Sequence, residues 1–360
     1  MSTHHRTPAR SSQTAPSPMR LRLGTTHSIS MFSSLVVLPL FDKVRGPSHA
    51  PPPENSSGAG EKAEMAMTRG PWGWAEGMER VHEISETFAD DAEAAAYWVE
   101  GADGVHSVED MTYTGAAGQR QRLRLYRAGA DDAPVLVYIH GGGWVGGTID
   151  LNDRACRRLA GAGWHVASVS YRLAPANPFP AGLDDVIASV GWLQSAGLTG
   201  LDTTRLAIGG ASAGANLALA AALSLPRETF RALVLFYGVF GNATDTESHR
   251  AYADAPVLTG ARVDEIYDLY DPGARFRDDP RFAPLLGDLK GLPPVLNLMA
   301  EHDVLRSEGE ALTLRLHDAG VEVEAWTEPG VSHGFINRGR LAPSADAALA
   351  RSRDWLARQA

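Results

Sequence analysis

From about residue 105 to the end of the chain, short unbroken apolar runs alternate with stretches whose apolar positions recur every three or four residues. The first pattern marks strands covered on both faces, the second helices packed by one face. Strands are predicted at Val108–Thr114, Leu123–Arg127, Pro134–Ile139, Trp164–Ser170, Leu206–Gly209, Ala232–Phe236, Val295–Ala300 and Val321–Thr327. Gly115-Ala116-Ala117-Gly118 reads as a hairpin link between the first two. Helices are predicted at Leu151–Ala160, closed by Gly161 and Gly163, and at Leu183–Gln194, after Ser212, at Leu305–Ala319 and at Ala345–Ala357. Residues after Phe236, as far as about Leu289, show no clear period and read as irregular. Repeated strand–helix units give an α/β fold, with a largely parallel sheet and helices on both faces. Ligands of such sheets gather beyond the carboxyl ends of the strands.

The part before residue 105 has a different texture. Met1 to Phe41 contains no Asp or Glu, and Gly46-Pro47-Ser48-His49-Ala50-Pro51-Pro52-Pro53 has no period at all. Residues 1–66 therefore read as a disordered leader or an early start, with Met65 or Met67 as the true first residue. A secretory or transit segment is the alternative, but Met31–Phe41 is too short to span a bilayer and no small-residue cleavage site follows closely. Within residues 67–107, Trp72–Val81 and Ala89–Glu100 have helix-like spacing.

Composition narrows the partners. The chain has 360 residues, of which 44% are hydrophobic and 21% charged, as expected of a globular protein with an ample core. A net charge of -10 argues against nucleic acid as a partner. No integral membrane span is read. The one cysteine, Cys156, rules out an intrachain disulfide and sits in a helical pattern as a small buried apolar residue. The expected location is the cytoplasm, unless residues 1–45 act as a targeting segment.

Four stretches carry candidate chemistry, each at a predicted strand end. Gly210-Ala211-Ser212-Ala213-Gly214 lies between a strand and a small-residue helix. A serine that attacks a carbonyl must stand clear of its sheet on a strained turn, which calls for glycine two residues to either side. Such a serine needs a base and an acid that orients the base, and Asp303 and His333 follow it in the order expected for this chemistry. Glu301 and His302 compete for those roles, but as neighbours on one loop they are poorly placed for a relay to Ser212, so Asp303 and His333 are preferred. Oxyanion donors are expected from the N–H groups of Gly142 and Gly143, in His140-Gly141-Gly142-Gly143-Trp144, and of Ala213. Gly141-Gly142-Gly143-Trp144-Val145-Gly146 also fits a dinucleotide fingerprint, but the next strand ends in Ser170-Tyr171-Arg172 without the acid such a site needs. His82-Glu83 and Glu86 lack the second histidine of a zinc helix. No metal and no cofactor is called for. Asn242-Ala243-Thr244 is a glycosylation sequon that matters only in a secreted chain.

Together, His140–Trp144, Tyr171-Arg172-Leu173-Ala174-Pro175, Phe179-Pro180-Ala181, Gly210–Gly214 and Ser332-His333-Gly334-Phe335 resemble the hormone-sensitive-lipase-like branch of the α/β-hydrolases, the bacterial family IV esterases. The resemblance runs from about Val108 to the C-terminus. It implies an eight-stranded sheet over 108–360, hydrolysis of short-chain carboxylic esters, and a cap built from the N-terminal helices and residues 238–279. A homodimer is open, since members often pair through the last strand. The chain departs from the family at Ala211, where Asp is usual, at Ala215, often Gly, and in the acid motif, usually Asp-Pro-Leu-x-Asp-Glu, where Asp303 is followed by Val304-Leu305-Arg306-Ser307-Glu308.

The resulting expectation is a serine hydrolase that cleaves small-molecule esters through an acyl-enzyme. An amidase or arylformamidase on the same residues is the nearest alternative. A non-catalytic small-molecule receptor, as the gibberellin receptors of this branch are, is the alternative from another class. Trp144, with Phe240, Tyr252, Tyr267 and Tyr270, is expected to crowd the acyl pocket and favour short chains.

Overall fold

The computed structural model describes residues 104–338 and 342–360. The leader, the two N-terminal helical patterns and His82-Glu83 lie outside the described residues. Eight strands form one sheet in the order β1-β2-β4-β3-β5-β6-β7-β8. They are β1 (Val105–Thr114), β2 (Arg120–Ala128), β3 (Ala133–Ile139), β4 (His165–Val169), β5 (Leu201–Ala211), β6 (Phe230–Phe236), β7 (Val295–His302) and β8 (Val323–Ser332). The hairpin link is present: β1 and β2 are antiparallel, and Gly115 and Gly118 close the turn. β2 meets β4 antiparallel, and every later pair is parallel.

Side chains alternate across the central strands, as a period of two requires. Val135, Val137 and Ile139 of β3 join one core, Leu136 and Tyr138 the other. The first core packs under helices α2 (Ala181–Ser195), α3 (Ala213–Ser224) and α6 (Arg306–Asp318), the second under α1 (Asp153–Ala160) and α7 (Ser344–Ala357). α3 is buried from Ala213 to Ala222, which suits a helix apolar on all sides. Cys156 is buried in α1, as expected.

Two expectations are corrected. The region after Phe236 is not irregular throughout: it contains α4 (Glu247–Ala251) and α5 (Gly260–Tyr270). Thr259 caps α5 by accepting a hydrogen bond from the Arg262 N–H, and Val263, Ile266, Tyr267 and Tyr270 form its buried stripe. β8 runs on through Pro329 and Gly330 to Ser332, past the predicted end at Thr327. The β7–β8 register slips between Ala300 and His302, so that His302 pairs with Ser332.

The motif Tyr171–Pro175 is anchored from below by Asp185 of α2, whose side chain is fully buried. Its carboxylate accepts hydrogen bonds from the Arg172 guanidinium, the Gln119 amide and the backbone N–H groups of Ala116 and Arg172. Burial alone would raise its pKa, but these donors outweigh burial and hold it below the ordinary carboxylate value.

Candidate active site

β5 ends at Ala211 and α3 begins at Ala213, so Ser212 alone makes the turn. Its φ is 57° and ψ -123°, a conformation that side-chain-bearing residues avoid. The Ser212 N–H donates to the Phe236 carbonyl at 2.9 Å and fixes the turn to β6. The flanking glycines are needed for a steric reason. A Cβ at Gly210 would lie 2.4 Å, and one at Gly214 2.1 Å, from the Ile139 carbonyl oxygen. The turn can be this tight only because β3 ends against it.

The pairing of His302 with Ser332 decides what meets Ser212. The next residue on each strand leaves the sheet beside its neighbour, and these are Asp303 and His333. His333 Nδ1 lies 2.7 Å from Asp303 Oδ2, and His333 Nε2 lies 2.9 Å from Ser212 Oγ. A carboxylate can only accept, so Nδ1 carries the proton and Nε2 is free to accept from the hydroxyl. Asp303 is held in turn by the Leu305 N–H at 3.0 Å. The ring of Tyr237 braces His333 edge-on at 5.0 Å between centroids. The competing pair is engaged elsewhere: Glu301 accepts the Gly330 N–H at 2.7 Å, and His302 packs against Tyr252.

Above Ser212 lies the loop His140–Gly147. A Cβ at Gly141 would meet the Ala211 carbonyl oxygen at 2.8 Å, so this loop rests directly on the serine turn. Gly142 has φ +122°, and a Cβ there would lie 2.2 Å from the Gly146 oxygen. Gly143 has φ +60° and would drive a Cβ into Ile266 of α5 at 2.7 Å. Glycine is therefore demanded here by the loop's own turn and by α5. His140 supports the loop from beneath. Its ring stacks on Tyr171 at 4.4 Å, and its Nδ1–H donates to the Gly141 carbonyl at 2.8 Å. Burial lowers its pKa to about 4, so the ring is neutral at physiological pH.

Gly142, Gly143, Ser212 and His333 all border one cavity of about 480 Å³, in the size range of small-molecule sites. Trp144 borders it too, yet it also stacks on Tyr270 at 4.3 Å and 5° and lies near Phe282 and Tyr267. Of the four other aromatics expected in the pocket, Tyr267 alone lines it, while Phe240, Tyr252 and Tyr270 belong to the core beneath. The apolar wall is made instead by Val257, Leu258, Val263 and Ile266. Arg262, Asn152, Asn337 and Arg338 also border the cavity and were not singled out from the sequence. Arg338 had one available signal, its position five residues after His333. Asn242 of the sequon donates to Asp278 at 2.8 Å. Among the described residues, no cluster of His, Cys, Asp and Glu is arranged to hold a metal ion, and no helix is long and apolar enough to cross a membrane.

Fold and site together define a hydrolase of the α/β class. The family described as "alpha/beta hydrolase fold" matches residues 136–337. Ethyl acetate hydrolase of Pseudomonas putida is 37% identical over 268 residues, spanning 71% of this chain and 84% of that protein. A carboxylesterase of Mycobacterium tuberculosis is 39% identical over 232 residues, spanning 61% of this chain and 72% of its own. An esterase structure from Pyrobaculum calidifontis superposes with a TM-score of 0.69 at 32% identity, covering 78% of this chain and 92% of that one. The chain belongs to the α/β-hydrolase family, and within it to the carboxylesterases of the hormone-sensitive-lipase-like branch.

Proposed function

We propose that this carboxylesterase works through a Ser212–His333–Asp303 triad and an acyl-enzyme, and prefers short acyl chains. The observation that carries the reading is the continuous hydrogen-bonded line from Asp303 through His333 to Ser212 Oγ, which ends in the cavity. Ser212 Oγ attacks the ester carbonyl carbon while His333 Nε2 takes its proton. Asp303 holds the ring and stabilises the imidazolium that forms. The tetrahedral oxyanion is received by the N–H groups of Gly142, Gly143 and Ala213. Ala213 is the first residue of α3, and its N–H has no acceptor within the helix. Collapse breaks the bond to the alcohol oxygen, which takes the proton from His333 and departs. Water then gives a proton to His333 and attacks the acyl carbon, and Ser212 leaves as the hydroxyl when the acid is released.

The short-chain preference is supported by the size of the cavity and by the apolar wall that α5 builds across it. An organophosphate should label Ser212 stoichiometrically and abolish turnover of p-nitrophenyl acetate. Labelling elsewhere, or full activity in Ser212→Ala, would overturn the mechanism. Across p-nitrophenyl esters of rising acyl length, kcat/KM should be greatest at about two to six carbons, because the bulk around the cavity limits the apolar volume. An optimum at twelve carbons would refute the size argument. Anilide substrates in the same assay test the amidase alternative.

A further inference from the structure

The wall of the cavity on the His333 side carries more hydrogen-bond donors than a neutral short ester needs. Arg338 borders the cavity, and its Nη1 is buried without a hydrogen-bond partner among the described residues. Burial presses its pKa below the ordinary arginine value, opposed by the neighbouring Tyr237 hydroxyl. No Asp or Glu stands among the described residues that line the cavity. Other arginines near the site have carboxylates to hand. Arg262 is paired with Glu265, Arg277 with Asp268 at 2.8 Å, and Arg306 with Glu247 at 2.7 Å. Arg338 is half-buried, and a guanidinium partly withdrawn from water without a counter-charge is destabilised in a way that an arriving anion relieves.

A second group faces the same space. Asn152 is buried at the start of α1 but makes no side-chain cap to that helix. Among the described residues its side-chain partner is Asn337, the two amides meeting at 3.1 Å, and Asn152 Nδ2 and Asn337 Oδ1 have none. Whichever amide donates in that bond, one NH2 group of the pair remains without an acceptor. Arg338 and this amide pair thus border one cavity with Ser212 and His333 while holding buried donors that no described residue satisfies.

We propose that the ester substrate carries a carboxylate, on its acid or its alcohol portion, and that Arg338, with the Asn152–Asn337 amide pair, binds it. This inference rests on the triad reading and adds a substrate class to it. A carboxylate can accept from the unpaired Nη1 and from a second N–H of the same guanidinium edge, which a neutral ester tail cannot do. Leaving the donors unpaired is what would disfavour the neutral analogue.

The test uses two matched pairs and the full chain. Monoethyl glutarate against its amide, ethyl 5-amino-5-oxopentanoate, places the charge on the acid side. 3-Acetoxypropanoate against 3-acetoxypropanamide places it on the alcohol side. In the wild type, kcat/KM for the carboxylate should exceed that for the amide by about tenfold or more in one pair, a factor expected of a charge-assisted hydrogen bond. The pair that responds identifies the side. The ratio should shrink as sodium chloride is raised. Arg338→Gln should bring the ratio near one, and Arg338→Lys should keep part of it. Carboxylate-to-amide ratios at or below one in both wild-type pairs would overturn the inference while leaving the esterase mechanism standing. An equal loss on carboxylate and amide in both variants would show that Arg338 acts only in packing. Turnover that survives Ser212→Ala would instead sink the underlying mechanism.

Discussion

At the scale of single residues, the two acids beside the site are held by different partners. Asp303 and Glu301 are two residues apart, but the first accepts from His333 and the second from the Gly330 backbone. Replacing Asp303 by Asn leaves a side chain that can donate as well as accept, which releases the ring from its tautomer. kcat should fall on the order of a thousandfold or more. Glu301→Gln keeps a carbonyl oxygen for Gly330 and should change kcat by less than about threefold, because the hydrogen bond it makes is retained. Steady-state rates on p-nitrophenyl acetate decide between them, and the reverse ranking would mean that the acid has been misassigned. The preference for Asp303 was available from spacing, since a residue just past a strand end can turn toward a neighbouring loop. The β7–β8 register that sets it beside His333 was not, because Pro329-Gly330 reads as the end of a strand when only local chemistry is seen.

Glu308 makes a residue-scale prediction about pH. It is buried on α6, and its Oε2 accepts the N–H groups of Phe240 at 2.6 Å and Gly241 at 2.8 Å. Burial, helped by nearby Asp303, raises its pKa to about 7 from 4.5, against the opposing pull of the two N–H donors. Between those pH values the folded chain holds a proton that the unfolded chain has released. This contribution to stability is therefore full below about pH 4.5 and is lost as pH rises toward 7. Glu308→Gln retains an acceptor for both N–H groups and removes the titration. The wild-type urea midpoint, relative to that of the variant, should drop between pH 5 and pH 8. A difference that stays constant with pH would rule out the raised pKa.

At the scale of elements, α5 organises the mouth of the cavity, and it is where reading the sequence fell short. Its signals were present: a Thr–Gly start and apolar positions at Val263, Ile266, Tyr267 and Tyr270. They were obscured because the helix is short and polar side chains fill its other face. Most of the sheet could be read from local pattern because central parallel strands are apolar on both faces. The side chains opposite Ser212 could not, because they come from α5 through tertiary packing alone. The same packing changes what Trp144 predicts. Trp144 borders the cavity, but its indole is also stacked on Tyr270 of α5. Trp144→Ala should lower stability by about 3–5 kcal/mol as well as alter selectivity. Ile266→Ala removes cavity wall without breaking that stack. It should move the acyl optimum toward longer chains with a smaller fall in melting temperature than Trp144→Ala. An unchanged chain-length profile in Ile266→Ala would show that the acyl chain lies elsewhere.

At the scale of the whole molecule, the chain should divide by function at two points before β1. Residues 1–66 have few large apolar side chains outside Met31–Phe41, and we propose that stability and activity do not depend on them. A chain beginning at Met67 should keep its activity and melting temperature. Residues 72–100 differ, because Trp72, Trp74, Met78, Val81, Phe88, Tyr97 and Trp98 recur at helical spacing. Burying each such side chain contributes roughly 1.5–3 kcal/mol, so the segment has reason to pack against the rest. We propose that it completes the cap, closing over a cavity whose described walls come from the sheet loops and α5. A chain beginning at Val105 would keep Ser212, His333 and Asp303 but lose that cover. It should melt lower and discriminate less between acetyl and octanoyl esters. Limited proteolysis gives an independent reading: cuts before Met67 should come early and leave activity intact, whereas cuts between Trp72 and Glu100 should be slow and should cost chain-length selectivity. A Val105 chain with the stability and substrate profile of the full protein would place the cap entirely within residues 238–279.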